Sequence, residues 1–201
     1  MNQPRHIAPL LLLLILVTSL SGQSGLRTID TENSVIEWIG TKVSGRHSGV
    51  LKLLEGYVEL DRGAIQRGRF IFDMHSIENQ DISNGERRHR LETHLKAPDF
   101  FDVKKYPTAV FQVITATPSR QGLPGEQVYQ VSGDLTIKGI THVIDFDAIV
   151  TIEGEQARAK GEIVIDRTKY GIKYRSGKIY EGLGDRVIHD EFRVIFNLTT
   201  K

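Results

Sequence analysis

Apolar and polar positions alternate with period two along most of this chain, the pattern of strands with one buried face. Tyr129, Val131, Gly133, Leu135 and Ile137 form an apolar or small set, with Gln130, Ser132, Asp134, Thr136 and Lys138 opposite. Ile144, Phe146, Ala148, Val150 and Ile152 repeat it against Asp145, Asp147 and Thr151. Ala157, Ala159, Gly161, Ile163 and Ile165 do so against Arg158, Lys160, Glu162 and Asp166. A last strand carries Ile188, Asp190, Phe192, Val194, Phe196 and Leu198 on one side, with Asp190 interrupting the apolar set. His189, Glu191, Arg193 and Asn197 face the other way. Turn residues separate these runs: Gly122-Leu123-Pro124-Gly125, Lys138-Gly139, Glu153-Gly154 and Ser176-Gly177. The N-terminal half is rougher, with strands expected over 34–42 (holding Trp38), 50–60 and 68–75 (alternating Phe70, Phe72 and Met74).

One segment changes period. Ser83 and Glu86 fit a capping box, Leu91 and Leu95 share a helix face, and Ala97-Pro98 ends the helix. The stretch HLKAPDFFDVKKYPTAVF that follows reads as a clip holding this helix across the strands. In that reading Asp99 caps a tight turn, one of Phe100 and Phe101 anchors it, the other sits at a rim, and Tyr106-Pro107 resets the chain to extended geometry. The fold class is therefore all-β with one short helix, a closed antiparallel barrel or a sandwich. The charged outer faces argue against an outer-membrane barrel, which presents an apolar band to lipid. A barrel of about eight strands either fills itself with side chains or holds one small ligand. The small inward residues Gly133, Ala148, Ala157, Ala159 and Gly161 fit both outcomes equally.

Composition narrows the setting. The 201 residues suit one domain, and the absence of cysteine leaves no disulfide, thiol nucleophile or lipid-attachment site. Residues 1–21 read as a signal peptide: a basic start at Arg5 and His6, an apolar run from Leu10 to Val17, and a small-x-small site at Ser19-Leu20-Ser21. Export to the periplasm or beyond follows, with no transmembrane anchor after cleavage; a retained anchor is the alternative. The chain has 26 Lys+Arg against 25 Asp+Glu, and Arg5 falls in the leader, so the mature charge is balanced and no nucleic-acid partner is expected. The Arg87-Arg88-His89-Arg90 cluster reads as a solvated helix face. No metal-ligand spacing, serine elbow or phosphate-cradling loop occurs, so no metal, catalytic residue or cofactor is assigned. His94, Asp99, Asp102 and Lys105 would support catalysis if they converged on one pocket.

Several separated motifs carry a resemblance. They are Ser34-Val35-Ile36-Glu37-Trp38, the His94 to Pro107 clip, Val131-x-Gly133-x-Leu135-Thr136-Ile137-Lys138-Gly139, Asp166-Arg167-Thr168-Lys169-Tyr170-Gly171-Ile172, and Asp190-Glu191-Phe192. In this order they resemble the YceI-like family over residues 28–200. The resemblance implies a lipocalin-like antiparallel β-barrel of about eight strands. It further implies a periplasmic or secreted protein, not an enzyme, that binds a long-chain isoprenoid or fatty-acid-like ligand; a homodimer is left open. Burial at roughly 0.8 kcal/mol per CH₂ would drive such a chain into an apolar tunnel. The expected ligand-binding lining is Trp38, Phe70, Phe72, Phe100, Phe101, Phe111, Phe146, Ile163 and Phe192. A filled barrel acting as an exported structural or stress module, and an enzyme acting on a lipid, are the competing readings.

Overall fold

The structure, a computed structural model, describes residues 24–201. The leader assigned to residues 1–21 lies outside them. Nine strands and one α-helix follow in order: β1 Gly25–Thr28, β2 Val35–Lys42, β3 Gly45–Asp61, β4 Ala64–Asn79, α1 Gly85–Lys96, β5 Thr108–Gln121, β6 Glu126–Ile137, β7 Ile140–Glu153, β8 Gln156–Asp166 and β9 Ile188–Thr199.

Strands β2 to β9 close an antiparallel barrel in the order β3-β2-β9-β8-β7-β6-β5-β4, and pairing of β3 with β4 seals the circle. Closure leaves no unpaired edge, so the backbone groups of the wall are satisfied within it. The ninth strand is short. β1 pairs with β3 from Gly25↔Leu60 to Thr28↔Tyr57, and β2 takes the same edge of β3 from Ile36↔Leu51 to Lys42↔Gly45. The two act as one interrupted stave. The break between them is held by Asp30, whose carboxylate accepts from the amides of Glu32 and Asn33.

β3 and β4 run well beyond the 50–60 and 68–75 segments expected from alternation. They are joined by Arg62-Gly63, both at positive φ (48° and 80°), as in the tight hairpin turns that match strand twist. Pairing therefore continues to Asp61↔Ala64, and three register shifts along the ladder blur the period-two signal. Lys138-Gly139 forms the same kind of turn between β6 and β7, with φ of 52° and 72°.

Two local expectations are corrected. Helix α1 is capped by Asn84, whose side chain accepts from the Arg87 amide at 3.0 Å, and not by a Ser83/Glu86 box. Asparagine caps as well as serine, and starting one residue later places Glu86 in the first turn near the positive helix end. Ile152, grouped with the inward set of β7, is exposed near the strand's end.

The barrel has two unlike ends. Connections 62–63, 122–125 and 154–155 are tight turns at one end. Connections 43–44, 80–107, 138–139 and 167–187 lie at the other, which carries α1 and the clip. Inside, the small residues divide in role. The rings of Phe111 and Phe196 lie over Gly133 and Gly161; a Cβ on Gly161 would stand 2.6 Å from Phe196 Cζ. Those two glycines taper the packing, whereas Ala148 and Ala159 border empty space.

Candidate ligand-binding cavity

The barrel encloses a cavity of about 270 Å³, far above the water-sized voids of packed interiors. Alternation builds it, since every second residue of each stave points inward. All nine residues expected to line a tunnel border this one space. Phe111 is the centre of an aromatic row, with ring centroids 6.2 Å from Phe70 and 5.4 Å from Phe146, and Phe146 lies 5.7 Å from Phe196. Trp38, Phe72 and Ile163 border the cavity from β2, β4 and β8. Leu91 and Leu95 of α1 and both clip phenylalanines complete the wall at the helix end.

Phe100 is buried and packs against His94 and Tyr174, at 4.9 and 5.6 Å between centroids. Phe101 is half-buried and meets Phe192 edge-on at 6.3 Å. The clip thus works as expected, with one change. The Asp99 carboxylate does not cap the turn; it bonds His94 Nε2 at 2.8 Å. The imidazole five residues back offers a better partner than amides already bonded to the carbonyls of Leu95 and Ala97. His94, Asp99, Asp102 and Lys105 do not border the cavity; the Lys105 ammonium instead stacks on Tyr106 at 5.1 Å. His94 and Asp99 pair with each other, and none of the four groups lines a shared pocket.

Alternation missed the polar part of the wall. Thr41, Lys42, His47, Arg167, His189 and Glu191 all border the cavity. His189 and Glu191 reach it because the β2–β9 register slips between Gly40↔Phe192 and Lys42↔Ile188. Across that irregularity Thr41 Oγ1 and His189 Nδ1 share a 2.8 Å hydrogen bond. Arg167 is buried, and its guanidinium donates to the carbonyls of His189, Ile172 and Ile188 at 3.0, 2.8 and 2.9 Å. Its charge faces Asp190 at 3.4 Å, and Lys178 lies 3.6 Å from both Asp190 and Asp166. Burial lowers the Arg167 pKa, while Asp190 and Asp166 oppose the shift. The sequence signal was Asp190 inside an apolar set, since a buried carboxylate requires a partner. Trp38 Nε1 is buried on the cavity wall and finds no hydrogen-bond partner among the described residues.

A second polar group ties α1 to the wall. The buried Asn79 donates to Ser48 O and to Asp81, its amide donates to Glu92, and Asp81 holds His47 Nδ1 at 2.9 Å. Burial raises the Asp81 pKa, but the Ser48 amide, the His47 ring and Asn79 outweigh it, and the net shift is downward. A carboxyl whose pKa falls on folding stabilises the fold above its unfolded value, near 3.9, and loses that contribution as pH drops through the folded value. Urea midpoints measured from pH 7 to pH 3 should therefore fall at the acid end, and Asp81→Asn should flatten that limb. Identical acid limbs would show that Asp81 does not carry it.

Among the described residues no helix is long and apolar enough to cross a membrane. Comparison with known proteins places this barrel. A UPF0312 protein of Pseudomonas putida is 38% identical over 104 residues, covering 49% of this chain and 52% of that protein. A UPF0312 protein of Pseudomonas savastanoi is 36% identical over 119 residues, covering 53% and 59%. The chain spans about half the length of the curated relatives it matches. Burkholderia cenocepacia BcnA superimposes with a TM-score of 0.68 at 20% identity, over 86% of this chain and 99% of that one. A polyisoprenoid-binding domain from Saccharophagus degradans, implicated in plant cell wall breakdown, gives 0.61 at 14% identity, over 89% and 99%. At those identities the likeness is one of fold. The YceI-like domain model matches residues 28–200, and with the motifs and the closed barrel in agreement the chain belongs to the YceI-like family.

Proposed function

We propose that this protein is an exported lipid-binding protein that holds a polyisoprenoid or similar long apolar chain inside its barrel. It acts as a carrier or scavenger and not as an enzyme. The cavity carries the reading: about 270 Å³ of continuous space, near the lower end of the roughly 300–1,000 Å³ usual for ligand pockets, under a wall of aromatic and aliphatic side chains. A filled structural barrel would leave only water-sized voids. The nine residues named from sequence are its chain contacts. The partnerless Trp38 Nε1 favours a ligand that also carries an acceptor oxygen, because a buried donor left unpaired is costly. The Saccharophagus neighbour, a polyisoprenoid-binding domain, is in keeping with the same ligand class. Export rests on the leader pattern of residues 1–21.

Native mass spectrometry of protein purified from a producing cell tests this. The expected result is an adduct that denaturation releases as an organic-extractable apolar compound. A clean apo mass, together with delipidated protein that takes up no polyprenyl or acyl probe at micromolar concentration, would overturn it.

A further inference from the structure

The overall charge is balanced, but it is not evenly placed. The connections at the helix-bearing end, 43–44, 80–107, 138–139 and 167–187, hold thirteen Lys+Arg against seven Asp+Glu. The connections at the other end, 62–63, 122–125 and 154–155, hold one of each. Several acidic groups at the basic end are already engaged: Asp81 by His47, Glu92 by the Asn79 amide, Asp99 by His94. Of the thirteen cations, only Arg167 and Lys178 have a carboxylate within 4 Å among the described residues. Arg87, Arg88 and Arg90 stand exposed on α1, the helix whose Leu91 and Leu95 border the cavity. Large apolar side chains stand out from this end too: Val43 at the β2–β3 tip, 55% exposed, and Ile179 and Tyr180 in the β8–β9 connection, 42% and 49%.

Cations without carboxylate partners, at the same end as exposed apolar tips, are the chemistry that meets an anionic bilayer: basic side chains hold the head groups while apolar ones enter the interface. We propose that the helix-bearing end docks on anionic lipid membranes and so brings the polar part of the cavity wall against the bilayer. This rests on the lipid-binding reading for its purpose, but docking needs no occupant. A bilayer fits better than a nucleic acid because the apolar tips would contribute nothing to phosphate contacts along a duplex.

The test is sedimentation of delipidated protein with vesicles of phosphatidylcholine alone or mixed with phosphatidylglycerol, neither containing isoprenoid. Binding is expected only with phosphatidylglycerol and should weaken as salt screens the charges. Combined Arg87→Glu, Arg88→Glu and Arg90→Glu should weaken it on the order of a hundredfold. Tyr180→Asp should weaken it less, and Arg158→Glu, far from this end, should leave it unchanged. Far-UV circular dichroism establishes that each variant is folded. No binding to phosphatidylglycerol vesicles at low salt overturns the proposal, as do equal binding to both vesicles or full binding by the folded triple variant. Capture of RNA or an acidic protein without vesicle binding overturns it as well, by assigning the basic end elsewhere. Probe uptake from detergent solution reads the cavity separately. Uptake without docking rejects the docking surface alone, and docking without uptake rejects the lipid-carrier reading alone.

Discussion

Ala148→Trp should abolish uptake of a long-chain probe while leaving the barrel folded. Ala148 lies on β7, faces Tyr129 of β6 and Gly161 of β8, and borders the empty space. An indole there grows into the cavity and meets few packed atoms, so the cost stays at or below the roughly 1–3 kcal/mol of ordinary overpacking. The ligand suffers more. Losing room for about four methylenes removes about 3 kcal/mol of burial, on the order of a hundredfold in affinity. Equilibrium binding of a fluorescent polyprenyl or acyl probe, beside a urea titration, measures both effects. A folded variant that binds as the parent does would mean that the chain does not occupy this cavity.

Arg167→Met should cost about 3–5 kcal/mol of stability, the range seen when one partner of a buried ion pair is removed. The substitution keeps much of the side-chain volume but strands three backbone carbonyls and the Asp190 carboxylate. Lys178, 3.6 Å from Asp190, supplies some compensating charge and sets the loss toward the lower bound. Adding Asp190→Leu should recover a substantial part, because a buried pair replaced by apolar groups is often neutral. The readout is the urea midpoint of each variant. If the double variant is no better than the single, the cost lies in the stranded carbonyls and not in the unpaired carboxylate. Either way, Asp166-Arg167-Thr168-Lys169-Tyr170-Gly171-Ile172 fastens the polar part of the wall together. Asp166 accepts from the Thr168 amide and hydroxyl, Gly171 closes the turn at φ 72°, and Tyr170 is buried so deeply that its hydroxyl pKa is pushed up to about 12.

The strands of the C-terminal half were legible because alternation is a local signal. A residue at i and its neighbour at i+2 share a face whatever the rest of the chain does. The same signal pointed to much of the aromatic lining, since Phe70, Phe72, Phe146 and Phe192 each occupy an apolar alternate position. It failed where the ladder slips. The register shifts in the β3–β4 ladder hid the true length of both strands, and the slip in β9 brought His189 and Glu191 to the cavity. Shifts of register depend on the partner strand, which a single run of residues does not name.

Local chemistry in the residues thus established an all-β fold, a closed barrel or a sandwich, with its helix and stop at Pro98; the resemblance chose the barrel. Whether its interior is filled or hollow was a matter of contacts between distant segments. Phe111 and Phe196 close over Gly133 and Gly161, yet no side chain of comparable size fills the space beside Ala148 and Ala159. Asp99 pairing with His94, and Arg167 with Asp190, were also settled by distance in space. So was the gathering of the basic connections at one end. The Asp99–His94 pair depends on the local fold of the clip, while the others depend on how staves are ordered around the barrel, and periodicity along one strand carries no record of that order.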